Sequence, residues 1–245
     1  MSDDCRFIEE VRMIADTWET DGLGVKHYGL PLGLKAAGLD KGSTLVDAKN
    51  TVIELGHPTT TSLCLGMVTE RDDLIQETRV TVMGRELQEL SAGRYPFALI
   101  ALCTVQQADD RTKRALYGKL SACGHLAGVM ARVALGRIWI RVGHDALHHE
   151  VTLGAMGWNL VAELQKYRRT FVNIEVMLVV AEESHINRLR PVADGLADQR
   201  RSQYRAELRK RMECDSGLAC DECPETDTCR ILNDAAAIVK KKNVM

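Results

Sequence analysis

The sequence predicts an α/β fold: a mixed, largely parallel sheet flanked by helices, with a small C-terminal cysteine-rich metal-binding appendage. Three observations carry this expectation. Between residues 97 and 180 the apolar pattern runs strand, helix, strand, helix, strand, the order produced by right-handed crossovers onto a parallel sheet. Residues 97–105 form an uninterrupted apolar run, as a strand buried on both faces requires. Cys214, Cys220, Cys223 and Cys229 lie within sixteen residues in the order C-x5-C-x2-C-x5-C, in a segment that offers almost nothing to a hydrophobic core. The boundary between the two parts is expected near residue 183, giving an α/β domain over 1–183 and an appendage over 184–245.

Each element follows from local pattern. Phe7, Ile8, Val11, Ile14 and Ala15 recur at helical spacing over residues 4–18. Residues 22–42 are dense in glycine and read as loop with brief turns. Strand-like runs follow at 43–46, 51–55, 62–68 and 79–83, separated by Gly, Pro and Asp. After the buried run 97–105, Asp109 or Asp110 caps an expected long helix with the stripe Leu116, Leu120, Cys123, Ala127, Met130 and Ala134, ended by Gly136. A strand is expected at 138–142, a helix at 151–167 and a strand at 172–180. From 184 to 212 eight basic residues stand against three acidic ones, and Pro191 breaks this helical stretch near its start. A last helix is expected at 231–241.

Composition narrows the function. A net charge of −2 argues against a dedicated nucleic-acid binder, which is usually strongly basic. The longest apolar run, residues 96–105, is about half of what a bilayer crossing needs, so no membrane span is expected. With no signal peptide in view, the expected compartment is the cytoplasm. There Cys5, Cys64, Cys103 and Cys123 serve as small core hydrophobes rather than as disulfide partners.

The four clustered thiols are the most specific chemical feature. Cys220 and Cys223 have the spacing at which one tight turn aims two thiolates at a single metal, and Cys214 and Cys229 lie within reach of the same centre. A [4Fe–4S] cluster is the first reading, since such sites accept wide spacing and Pro224 directly follows Cys223. Zinc is the alternative, although its structural sites usually show two short knuckles where this segment has one. Disulfides or unliganded thiols are the bland reading. Six acidic residues and no basic one surround the cysteines between 213 and 228. They would favour the less negative, oxidised state of a cluster and so lower its potential.

Several pieces occur in one order over roughly half the chain: ELGHPTTTS (54–62), RVTVMGRELQEL (79–90), PFALIAL (96–102) and GVMARVALGRIWIRV (128–142). They continue with the spacing of Thr152, Leu153, Gly157, Leu160 and Ala162. Together they resemble the middle domain of acetyl-CoA synthase, the beta subunit of the carbon monoxide dehydrogenase/acetyl-CoA synthase complex of anaerobes. The resemblance implies a shared α/β fold and partners of the CO dehydrogenase, corrinoid-protein or ferredoxin kind. It also implies coenzyme A near Trp139 and Arg141, because the matching tryptophan and arginine of the family are thought to lie beside it. An indole stacks on adenine and a guanidinium pairs with phosphate; the bland reading is an edge tryptophan and a surface ion pair. The family's nickel-bearing centre uses a Cys-Gly-Cys step, and this chain contains none. A complete CO-methylating acetyl-CoA synthase is therefore not expected.

Three smaller features weigh less. His144 and His148 stand i, i+4 and could share a metal, but a loop histidine cluster is usually solvent-facing. His57 reads as a turn residue, and Thr59, Thr60 and Thr61 have no neighbouring base to make a nucleophile. The basic helix reads as a solvated face, with docking of an acidic partner as the second reading. The first functional reading is thus an accessory iron–sulfur protein of anaerobic one-carbon and corrinoid metabolism, acting by partner docking or electron transfer. The rivals are a coenzyme A-binding subunit that assists acetyl or methyl transfer and a zinc-stabilised structural subunit. Self-association is left open, and catalysis by the chain alone is not assigned.

Overall fold

The uninterrupted apolar run becomes an interior strand of a five-stranded sheet, and most of the architecture follows from covering the two faces of that sheet. The computed structural model describes residues 4–29, 46–167, 170–211, 223 and 227. The chain divides into two units, residues 1–193 and residues 194–245. In chain order the strands are β1 (Val25–Tyr28), β2 (Thr51–Leu55), β3 (Ser62–Thr69), β4 (Arg79–Gly84), β5 (Gly93–Tyr95), β6 (Phe97–Val105), β7 (Val129–Ala134), β8 (Arg137–Gly143) and β9 (Phe171–Val180). The helices are α1 (Cys5–Thr20), α2 (Asp110–Tyr117), α3 (His144–His148), α4 (Leu153–Gln165), α5 (Glu183–Asn187) and α6 (Arg190–Arg211).

The larger sheet has the order β1-β4-β9-β6-β3 and the smaller one β5-β2-β8-β7. The expectation of a largely parallel sheet is corrected. In the larger sheet β4·β9 and β3·β6 are parallel, but β1·β4 and β6·β9 are antiparallel; in the smaller only β2·β5 is parallel. An apolar run shows that a strand is buried on both faces and says nothing about the direction of its neighbours, so alternation with helices overstated the parallel content.

The expected long helix after Asp109 is also corrected. Asp109 does cap α2, its carboxylate accepting from Thr112 N at 2.7 Å. The helix stops at Tyr117, a short 3-10 turn covers Leu120–Gly124, and the rest of the stripe becomes β7. Val129, Ala131 and Val133 alternate towards the core, so the period over this stretch is two rather than 3.6. Gly128 makes the change of direction: its φ is +70°, and any Cβ there would strike the Ala146 backbone nitrogen. Gly136 ends no helix. With Leu135 it forms the two-residue turn between β7 and β8, at φ +50° for Leu135 and +73° for Gly136.

One face of the larger sheet packs on α4, α2 and the smaller sheet through Cys64, Val68, Val80, Val82, Phe97, Leu99, Ile174, Val176 and Leu178. On the other side lies α1, which buries Phe7, Ile8, Val11 and Trp18. Asp4, just before α1, accepts from Val68 N at 3.2 Å and from Lys113 Nζ at 2.7 Å. The two sheets are stapled at β8: Ser62 Oγ donates to Ile138 O at 2.5 Å and accepts from Ile138 N at 3.0 Å. Cys64 N donates to Gly136 O at 2.7 Å.

In the second unit the described residues are the remainder of α6 with residues 223 and 227. Pro191 sits at the second residue of α6, where its missing N–H costs nothing. The expected helix at 231–241, and the strand at 43–46 apart from Val46, lie outside the described residues. Among the described residues no helix is long and apolar enough to cross a membrane.

Candidate functional site

Alternation along β8 decides where its polar residues go. Ile138, Ile140 and Val142 are buried in the core, so Trp139 and Arg141 share the opposite, outer face of the smaller sheet. The same rule on β2 buries Ile53 and Leu55 and turns Glu54 outward. Register then brings the residues together. Glu54 stands opposite Arg141 of β8 and Arg94 of β5, while Arg132 of β7 stands opposite Trp139.

The Arg141 guanidinium carbon lies 4.1 Å from the centroid of the Trp139 ring, within cation–π range. Its Nε is 3.6 Å from Glu54 Oε1, too long for a hydrogen bond, and its Nη1 reaches Val46 O at 3.5 Å. Glu54 Oε2 accepts from Arg94 Nε at 2.9 Å. His57 meets the Trp139 ring edge-on, at 5.6 Å between centroids. Its Nδ1 accepts from Thr59 N at 3.1 Å and lies 2.8 Å from Thr59 Oγ1, while its Nε2 is 3.9 Å from Glu54 Oε2. Thr60 N donates to His57 O at 2.8 Å, so His57 is also the turn residue expected, and Arg137 Nη2 fixes that turn by donating to Thr60 O at 3.1 Å.

Two features set this face apart from an ordinary sheet surface. Three arginines (Arg94, Arg132 and Arg141) are balanced by one carboxylate, Glu54, and Arg132 is exposed with no ion pair among the described residues. Trp139 Nε1 is buried and has no hydrogen-bond acceptor, and neither has Arg141 Nε. Unsatisfied buried donors are rare in folded proteins, and two lie here on adjacent side chains. Cationic side chains, an aromatic face and spare donors are what a nucleotide phosphate with its base requires. The sequence singles out Trp139 and Arg141, which the structure brings together on this face, and does not single out their neighbours Glu54, Arg94 and Arg132. Alternation on β2 was the available signal for Glu54, whereas its partners depend on strand pairing.

The remaining expected sites fare differently. Cys214, Cys220 and Cys229 lie outside the described residues, and Cys223 is a half-buried free thiol. Cys64, Cys103 and Cys123 are buried, as small core residues should be. His144, His148 and His149 are exposed. Among the described residues no group of three or more His, Cys, Asp or Glu side chains is placed to hold a metal.

Comparison with known proteins gives one family. The family model described as CO dehydrogenase/acetyl-CoA synthase complex beta subunit matches residues 41–185, more than half of the 245-residue chain. The match takes in all of Glu54, His57, Arg94, Arg132, Trp139 and Arg141, and ends before the cysteine segment. No curated protein matches the chain.

Proposed function

Since the chain belongs to the family of the CO dehydrogenase/acetyl-CoA synthase complex beta subunit, we propose that it is an accessory subunit of such a complex. It would hold coenzyme A or an acyl-coenzyme A on the outer face of the smaller sheet. The observation that carries this is the unsatisfied Trp139 Nε1 beside the Arg141 guanidinium, on a face with more arginine than carboxylate. Trp139 offers the aromatic surface for the adenine, and Arg132 the unpaired cation for a phosphate. Glu54 holds Arg94 and Arg141 in place. When bound, the coenzyme supplies the thiol or thioester to which an acyl group is attached. This chain's residues bind and orient it for a partner protein, and without a Cys-Gly-Cys step carbonylation is left to that partner. Titration of the purified protein with coenzyme A while tryptophan fluorescence is followed tests the reading. Saturable quenching that weakens with added salt supports it, because exposed guanidinium–phosphate contacts are screened by ions. The absence of any saturable change refutes it.

A second reading rests on a separate observation, the C-x5-C-x2-C-x5-C spacing amid six carboxylates. Cys214, Cys220, Cys223 and Cys229 would hold a [4Fe–4S] cluster, and the chain would exchange electrons with a ferredoxin, corrinoid protein or CO dehydrogenase in anaerobic one-carbon metabolism. Iron and acid-labile sulfide in protein purified without oxygen test this. Colourless protein with one zinc would make the segment a structural zinc site instead.

A further inference from the structure

We infer that the protein binds a small oxyanion, a phosphate or a carboxylate, in a cleft lined by Arg12, Gln76, Glu77, Arg79 and Glu175. This site lies away from the sheet that carries Trp139. The origin of the cleft is one acidic residue in an otherwise almost wholly apolar strand. β9 lies in the middle of the larger sheet, with Ile174 and Val176 on the face that joins the main core and Glu175 on the other. Glu175 is 3% exposed, and a buried carboxylate must be paired. Its register neighbour on β4 is Arg79, and α1 brings Arg12 over it.

The pairing does more than neutralise the carboxylate. Glu175 Oε2 accepts from Arg12 Nη2 at 2.8 Å, and Oε1 accepts from Arg79 Nε at 2.8 Å and Nη2 at 2.5 Å. Both oxygens are therefore occupied, and the carboxylate acts as a brace that orients two guanidinium groups. Around Glu175 one negative charge is set against two positive ones, and Glu77 brings the charges lining the cleft to two of each sign. Arg12 uses one of its five N–H donors and Arg79 two. Arg12 Nε is buried and has no acceptor. The two arginine side chains are 35% and 39% exposed, so their unused Nη donors, though not Arg12 Nε, are reachable from an open cleft of about 390 Å³.

Arg79 alone would leave Oε2 without a donor, so Arg12 completes the pairing of the carboxylate. Arg12 nevertheless keeps an Nε–H with no acceptor, beside a cleft that among the described residues is lined by charged and amide side chains. Planar guanidinium groups match phosphate and carboxylate oxygens, and among the described residues no apolar side chain lines the cleft to suit a hydrophobic ligand. Glu77, an exposed second carboxylate, also lines the cleft. It disfavours anions large enough to touch it, which keeps the site to a small oxyanion or to one bearing a hydroxyl or ammonium on that side.

The test uses the wild-type chain first. Arginines are modified with phenylglyoxal and mapped by peptide mass spectrometry, at constant ionic strength, with inorganic phosphate, acetate or chloride present. With an anion at ten times its dissociation constant, modification of Arg12 and Arg79 should slow about tenfold, because only about one site in ten stays free. Exposed Arg114 of α2 should modify at an unchanged rate. Protection by phosphate alone identifies a phosphate site, and protection by acetate alone a carboxylate site. Equal rates in phosphate, acetate and chloride overturn the inference. The variant Arg12→Gln, which keeps the Arg79–Glu175 pair, should abolish the protection of Arg79; full protection there would also overturn it. Neither outcome depends on whether coenzyme A binds.

Discussion

Replacing Leu135 by Asn should stabilise the protein, although Leu135 is the residue the native chain uses. Leu135 has φ +50° and is 101% exposed, at the first position of the two-residue turn between β7 and β8. A left-handed backbone costs a residue bearing an ordinary Cβ about 1–2 kcal/mol. Asn tolerates that conformation, and Asn-Gly is the preferred pair for this turn. Full exposure means that no burial is lost with the leucine side chain. The turn cannot relax into another type without breaking the bond from Cys64 N to Gly136 O at 2.7 Å. A gain of about 1 kcal/mol is expected, which for a chain of this size raises Tm by about 2–4 °C. Leu135→Ala is the control, since it trims the same exposed side chain and keeps the backbone cost, so it should stay within about 0.5 kcal/mol of wild type. Urea unfolding of the three proteins by circular dichroism measures all of this. Equal stability for the Asn and Ala variants would refute the claim that the backbone conformation carries the cost.

Ser62→Ala should cost about 2–4 kcal/mol in the same unfolding assay, because the N–H and C=O of Ile138 both lose the hydroxyl that serves them inside the core; a loss below about 0.5 kcal/mol would show that water or a shifted strand replaces it. Burial pushes the Cys123 thiol up to about 12 and raises that of Cys103 as well. Both thiols stay protonated in the folded chain while in the unfolded chain they ionise near pH 8.5, so their contribution is whole below that pH and is lost as pH rises towards the folded values. Stability should fall by about 2 kcal/mol per thiol at pH 10; a flat profile between pH 8 and 10, or rapid native-state reaction with a thiol reagent, would contradict the burial. If the cysteine segment holds a cluster, Cys220→Ser should remove iron and sulfide and leave the unfolding of residues 1–193 unchanged; full metal retention would exclude Cys220 as a ligand.

The strands at residues 51–55, 62–69, 79–84, 97–105, 137–143 and 171–180 were legible because their apolar residues either run unbroken or alternate cleanly. Helix α1 was legible from its stripe, which in the structure ends on Trp18 rather than on Ile14 and Ala15. The misreading of residues 118–134 has one physical cause. Small apolar residues fit a helical stripe as easily as a strand, and only the backbone at Gly128 decides between them. β1 and β5 are four and three residues long and are held by strand pairing, so they leave almost no periodic signal of their own. The same limit governs the sites. Trp139 and Arg141 could be paired by alternation along one strand, but Glu54, Arg94 and Arg132 join them only through register across β2, β5, β7 and β8. Arg12, Arg79 and Glu175 span a helix and two strands far apart in sequence, and the single carboxylate within FVNIEVMLVV was the only clue.

Isothermal titration calorimetry with coenzyme A and acetyl-CoA tests the central claim most directly, with wild type, Trp139→Ala, Arg132→Gln and Arg79→Gln compared at two salt concentrations. Binding to the outer face of the smaller sheet predicts saturable heat for wild type and for Arg79→Gln. It also predicts affinity about tenfold weaker, or about 1.4 kcal/mol, for Arg132→Gln, with a reduced dependence on salt. Trp139→Ala should lose more than that. No heat from wild type up to millimolar coenzyme A, or heat that Trp139→Ala leaves unchanged, would contradict the account.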